Sequence, residues 1–120
     1  MDPKIAEALK TDKTIDITTT GRKSGQPRRI EIWFHNVDDR LYITGQPGKR
    51  DWFANLLANP DFTFHLKGSV EADIPATAHN VVDLEQRRVV ILAIYKDSRG
   101  EDDIQGRIDN SPLVEVSLKL

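Results

Sequence analysis

Six short segments of this chain alternate apolar and polar side chains with a period of two, and that pattern limits the fold more than any other feature. Successive side chains on a strand point to opposite faces, so each such segment can bury one face and leave the other to solvent. Thr14 to Thr20 (TIDITTT) is the first, with Ile15, Ile17 and Thr19 together and β-branched residues throughout. Arg29 to Asn36 sets Ile30, Ile32 and Phe34 against Arg29, Glu31, Trp33 and His35. Val37-Asp38-Asp39 then turns the chain into Leu41-Tyr42-Ile43-Thr44, which makes a three-strand meander. Phe62 to Leu66 and Val70 to Ile74 flank Lys67-Gly68-Ser69 as a hairpin. Leu113 to Leu118 is the sixth strand, with Val114, Val116 and Leu118 on one face.

Helical periods fill the intervals. Pro3 to Lys10, opened by Asp2, places Ile5, Ala8 and Leu9 on one side. Asp51 is expected to cap a helix that runs to about Ala58, where Asn59-Pro60 stops it. Asn80 to Lys96 carries apolar residues at 81, 84, 91, 92 and 95 and is expected to be the longest helix. Residues 97–111 are polar and contain glycine, and receive no element. The sum is a mainly β, α+β architecture: about six antiparallel strands closing into a small barrel with peripheral helices. Closure also removes exposed strand edges.

At 120 residues the chain suits one domain, taken as residues 1–120. The longest apolar run, Val89 to Tyr95, has seven residues, whereas crossing a bilayer takes roughly 20. Without the basic start and apolar stretch of a signal peptide, the N-terminus leads us to expect a cytoplasmic protein with no membrane span. Absence of cysteine excludes disulfides, thiolate metal sites and a cysteine nucleophile. A net charge of -2 argues against a general nucleic-acid-binding field, so basic residues matter where they cluster.

They cluster once. Of the 17 lysines and arginines, Arg22, Lys23, Arg28 and Arg29 lie within Gly21 to Arg29 (GRKSGQPRR). Gly21 and Gly25 permit positive φ, so backbone N–H groups can turn inward as an anion nest, and Ser24 adds a hydroxyl donor. Arginine offers a bidentate fork and lysine a point charge, a combination suited to phosphate or carboxylate. On composition alone, a solvated hairpin tip is the stronger reading. A P-loop is excluded, because its second glycine must be followed by lysine and then a helix. A second loop, Gly45 to Arg50, sets Lys49 and Arg50 before a helix N-terminus, another candidate anion site. Trp52 and Asn55 equally suit a core anchor and a helix surface. His35, His65 and His79 lack the spacing of a metal site, so no metal is expected. No GxSxG occurs and Ser24 has no nearby base, so nucleophilic hydrolysis has no support. Carboxylates at 38, 39, 71, 73 and 101–103 read as solvated faces.

Taken together, Ile17 to Arg28 (ITTTGRKSGQPR) closely resembles the signature of the deazaflavin-dependent nitroreductase family of split β-barrel proteins, a barrel of the FMN-binding kind. Asp51 to Leu56 (DWFANL), followed by Ala58-Asn59-Pro60, is similar to that family's tryptophan-aromatic-x-Asn-Leu helix, and the spacing between the motifs fits. The resemblance implies coenzyme F420, a deazaflavin with a phosphodiester and a polyglutamate tail. It implies that Arg22, Lys23 and Ser24, with Gln26, Pro27 and Arg28, hold the phosphate and tail. Thr44, Gly45, Lys49, Arg50, Trp52 and Asn55 would lie along the ring, and Tyr95 on the substrate side. The implied activity is hydride transfer from reduced F420 to a small electrophilic acceptor: a quinone, a nitroaromatic or an activated alkene. Such chemistry is carried by the cofactor, so no catalytic side chain is expected. The alternatives are FMN or a tetrapyrrole in the same barrel, held without turnover, and a binding module whose basic turn meets an acidic partner. The assembly is expected to be a monomer or a homodimer, with Trp33 and Tyr42 as exposed candidates for a contact.

Overall fold

The computed structural model describes residues 1–120. In chain order it contains α1 (Pro3–Thr11), β1 (Thr14–Thr20), β2 (Pro27–Val37), β3 (Arg40–Thr44), α2 (Asp51–Ala58) and β4 (Asp61–Lys67). There follow β5 (Glu71–Asn80), α3 (Leu84–Tyr95), α4 (Glu101–Asn110) and β6 (Leu113–Leu118). The strands close into an antiparallel barrel in the order β1-β2-β3-β6-β5-β4, with β4 returning to β1. The expected β-barrel with peripheral helices is therefore the fold.

The alternation in the sequence becomes the inside and outside of the barrel. In β1, Ile15, Ile17 and Thr19 face inward, and Ile17 lies opposite Ile30 on one side and Phe64 on the other. Phe34 and Phe64 meet edge to face at 5.4 Å in the centre, an arrangement favoured by the ring quadrupoles. The β2–β3 turn takes Asp38 and Asp39 through φ of 52° and 66°, a left-handed conformation that aspartate tolerates, as a tight hairpin requires.

Four expectations change. Asn80 does not open the long helix; it ends β5, which runs beyond Ile74 with Ala76 and Ala78 also inward. Pro75 sits within the strand, its carbonyl accepting from Lys119 N–H at 2.8 Å. The long helix is α3, capped by Asp83, whose side chain accepts from Gln86 N–H. It buries Arg87, Val90 and Ile91, while Leu84 and Leu92 stay exposed. Residues 101–110 form α4, whose first turn holds Glu101, Asp102 and Asp103 and whose last holds Arg107, both complementing the helix dipole. Tyr42 is buried, because α3 and α4 cover the outer face of β3 and make a second core with Tyr42, Val81, Val90, Ile91, Ile104, Ile108 and Leu113.

Arg87 holds that second core together. Its guanidinium donates to four carbonyls: Ile108 (2.6 Å), Ser111 (2.6 Å), Val81 (3.0 Å) and Arg107 (3.3 Å). Three of these belong to the C-terminal end of α4 and its cap, where the dipole is negative; Arg107 O also accepts the Ser111 N–H, and the guanidinium serves the carbonyls beyond it. Burial holds its pKa below the usual arginine value.

On the opposite face of the barrel, Arg29 pairs with Asp16 at 3.0 Å, and Lys67 bridges Asp16 and Glu31. The Lys67 ammonium, and secondarily Arg29, holds Asp16 below its ordinary carboxylate range. Its unfolded pKa is the higher one, so the network stabilises the fold above about pH 4 and loses this contribution as pH falls through the folded value. Urea unfolding of wild type and Asp16→Asn is therefore expected to differ at neutral pH and to converge below about pH 4. Curves that stay equally far apart in acid would remove Asp16 from the acid response.

Candidate cofactor and acceptor clefts

The basic turn folds back on itself before it meets anything else. Gly21 N–H donates to Gln26 O at 2.8 Å, Gly25 N–H to Gly21 O at 2.9 Å, and Gln26 N–H to the Ser24 hydroxyl at 3.1 Å. Gly25 has φ of 69°, the left-handed geometry that favours glycine. Gly21 is required for a different reason than expected: its φ is not positive, but a Cβ there would stand 2.5 Å from Ser24 Oγ.

Helix α2 holds the turn in place. Asn55, buried in α2, accepts at Oδ1 from Arg22 N–H (3.1 Å) and Arg22 Nη1 (3.0 Å), and its amide donates to Thr19 Oγ1 at 3.2 Å. Asp51 does not cap the helix. It is the first helical residue, largely exposed, and accepts from Arg22 Nη2 at 3.2 Å. No side chain caps α2, and its first backbone bond is Ala54 N–H to Arg50 O, so the N–H groups before Ala54 remain without helical acceptors.

Between turn and helix lies a cleft of about 480 Å³. Arg22, Lys23, Ser24 and Arg28 line it together with Trp52 and Asn55, two residues expected along the ring, and Thr19, Gly21, Ile30 and Asp51 complete it. Arg22 is committed to Asn55 and Asp51, whereas Lys23 and Arg28 make no ion pair and keep their charge for the cleft. Arg29 points to the other face of β2, toward Asp16. Gln26 and Pro27 shape the turn without lining the cleft.

The remaining candidates lead to a second cleft of about 670 Å³, where Thr44, Gly45 and Tyr95 come together with Lys13, Trp33, His35, Arg99 and Arg107. Thr44 Oγ1 donates to Pro112 O at 2.6 Å, so its hydroxyl ties β3 to the entry of β6. Tyr95 lies between His35, ring centroids 6.1 Å apart, and the Arg107 guanidinium, 4.6 Å from its ring centre. Arg107 Nε also donates to Asp103 at 2.8 Å. Burial, and secondarily Lys13, lowers the His35 pKa below its ordinary 6.5 and favours the neutral ring. Lys49 and Arg50 line neither cleft; the Arg50 guanidinium donates to Lys49 O and bends over its own loop. A Cβ on Gly45 would lie 3.6 Å from Trp52 Cζ2, so the two clefts adjoin at the Gly45–Trp52 contact.

The second cleft was hidden because its residues come from five separated stretches of chain with no local motif. Only Tyr95, with Thr44 and Gly45, was singled out.

Solved structures share this architecture. A conserved hypothetical protein from Mycobacterium tuberculosis superposes with a TM-score of 0.74 at 17% identity, over 100% of this chain and 81% of that one. An F420-H2 dependent reductase gives 0.62 at 20% identity, over 90% of this chain and 95% of its own. A heme storage protein from Vibrio cholerae gives 0.69 at 18%, over 99% and 90%. At such identities the likeness speaks for the fold alone. The sequence goes further, because residues 1–118 match the F420H(2)-dependent quinone reductase family. That match covers almost the whole chain, and with it the protein belongs to this family: an oxidoreductase that uses coenzyme F420.

Proposed function

We propose that this enzyme reduces a small electrophilic acceptor, a quinone foremost, with nitroaromatics and activated alkenes as further substrates of the same chemistry. The observation that carries the reading is the adjacency of two clefts that are both cationic but differ in their walls: the first offers only Ile30 and Trp52 as apolar surface, and the second adds the rings of Trp33, His35 and Tyr95. The donors of the first fit an anionic phosphodiester and carboxylate tail: two unpaired cations, the Ser24 hydroxyl hydrogen and the open N-terminus of α2. Its apolar walls are only Ile30 and Trp52, so it suits the tail better than a ring.

Within this reading Lys23 and Arg28 bind the tail, and Arg22 fixes the turn through Asn55. Gly45 and Trp52 border the ring where the clefts meet, and Tyr95 faces the acceptor. When bound in its reduced form, the deazaflavin supplies a hydride. The chain then has to orient the acceptor against the ring, a task that suits the flat rings of Trp33 and Tyr95 in the second cleft. We read the enzyme as cytoplasmic; no helix is long and apolar enough to cross a membrane.

Titration of the purified protein with F420 and with FMN, followed by ligand fluorescence, tests the cofactor. Oxidation of reduced F420 by a naphthoquinone, a nitrofuran and an enone tests the acceptor. We expect F420 to bind at about micromolar concentration and the quinone to be turned over fastest. Binding of FMN with none of F420, or no turnover of any acceptor, would overturn the reading.

A further inference from the structure

The charge of the second cleft exceeds what hydride transfer to a neutral molecule requires. Lys13 precedes β1, Arg99 lies between α3 and α4, and Arg107 stands in α4. All three line the cleft, and no aspartate or glutamate lines it with them. In a chain of 19 acidic and 17 basic residues, that exclusion of carboxylates is a local departure from the average surface. Arg107 is balanced by Asp103 outside the lining, while Lys13 and Arg99 make no ion pair. Uncompensated cations facing one cavity repel each other, and an anion between them relieves that repulsion. Trp33, 59% exposed, together with His35 and Tyr95, supplies flat apolar walls beside the charges.

We propose that the second cleft selects flat quinoid acceptors that carry their own carboxylate or sulfonate, with Lys13 and Arg99 as the specificity-determining residues. The inference rests on the quinone reduction proposed above and adds the charge of the substrate. The reaction keeps its balance: the reduced cofactor gives up a hydride and releases one proton to water as it is oxidised, and the quinone takes up that hydride and one proton from water and leaves as hydroquinone.

The test compares kcat/KM for a naphthoquinone sulfonate and for neutral methyl-naphthoquinone in wild type, Lys13→Gln, Arg99→Gln and the double variant. The ratio of sulfonate to neutral values cancels any general damage to the enzyme. It is expected to fall about three- to tenfold in each single variant, as for a partly exposed charge pair, and to shrink with added salt. Sulfonate binding to the protein without cofactor, read by Trp33 quenching and absent in Trp33→Phe, should weaken by the same factor. An unchanged ratio in both single variants overturns the proposal. So does an Arg99→Gln loss of F420 affinity as large as the loss in Arg28→Gln, since the cations would then serve the cofactor tail. If neither quinone is turned over but sulfonate binding still depends on Arg99, the proposed quinone reduction fails and the anion selectivity of the cleft stands. No quenching and no turnover overturn both.

Discussion

Replacing Lys23 and Arg28 together by alanine is expected to weaken F420 binding by about 2–4 kcal/mol, thirtyfold or more in Kd, with the melting temperature little changed. Both side chains line the first cleft and neither makes an ion pair within the protein, so their removal costs ligand contacts and almost no internal ones. Arg22→Ala provides the contrast. It removes a charge from the cleft but also the side-chain bonds to Asn55 and Asp51, and should therefore lower stability by about 1 kcal/mol as well as affinity. Fluorescence titration and thermal unfolding of both variants separate the effects. Full affinity in the double variant would move the anion site off the turn.

Arg87→Met is expected to destabilise the protein by about 3–5 kcal/mol, a fall in Tm of roughly 10–20 °C. Methionine fills a similar volume, so the loss isolates the hydrogen bonds: the carbonyls of Val81, Ile108 and Ser111 lose the guanidinium in a buried site, while that of Arg107 keeps the Ser111 N–H. The barrel core is a separate cluster from the one beneath α3 and α4, so amide exchange should accelerate in α4 while β1 and β4 stay protected. Because α4 carries Arg107 into the second cleft, the variant should raise the acceptor KM more than the F420 dissociation constant. A wild-type urea midpoint would mean that water replaces the guanidinium at all four carbonyls.

How much of this was legible can be judged strand by strand. In β1 the alternation was complete, and Ile15, Ile17 and Thr19 are the inward face. In β2 the expected apolar face is graded: Phe34 is buried, Ile32 half-buried, and Ile30 exposed, because the start of the strand pairs with β1 but extends past β3 and walls the first cleft. In β3 the pattern misled, since Tyr42 looked solvent-facing until α3 and α4 covered it. Helix α4 had local signals that were read as solvated charge: three acids in its first turn, Arg107 in its last, and Ile104 and Ile108 four apart. The inward face of α3 was out of reach for a firmer reason. Its deepest polar member is an arginine, and an arginine in a helix reads as surface unless one knows that four carbonyls wait for it.

By itself, then, the sequence determined the strands, the two tight turns and the pairing of GRKSGQPR with DWFANL, because side-chain alternation, turn chemistry and motif spacing are properties of neighbouring residues. The tertiary structure alone decided what the charges do. Arg22 became a tie, Arg29 a partner of Asp16, and Lys23 and Arg28 the free cations, according to which carboxylates and amides barrel closure brought within reach. It alone assembled the second cleft, since Lys13, Thr44, Tyr95 and Arg107 approach one another only when β3 joins β6 and the α3–α4 pair docks across them.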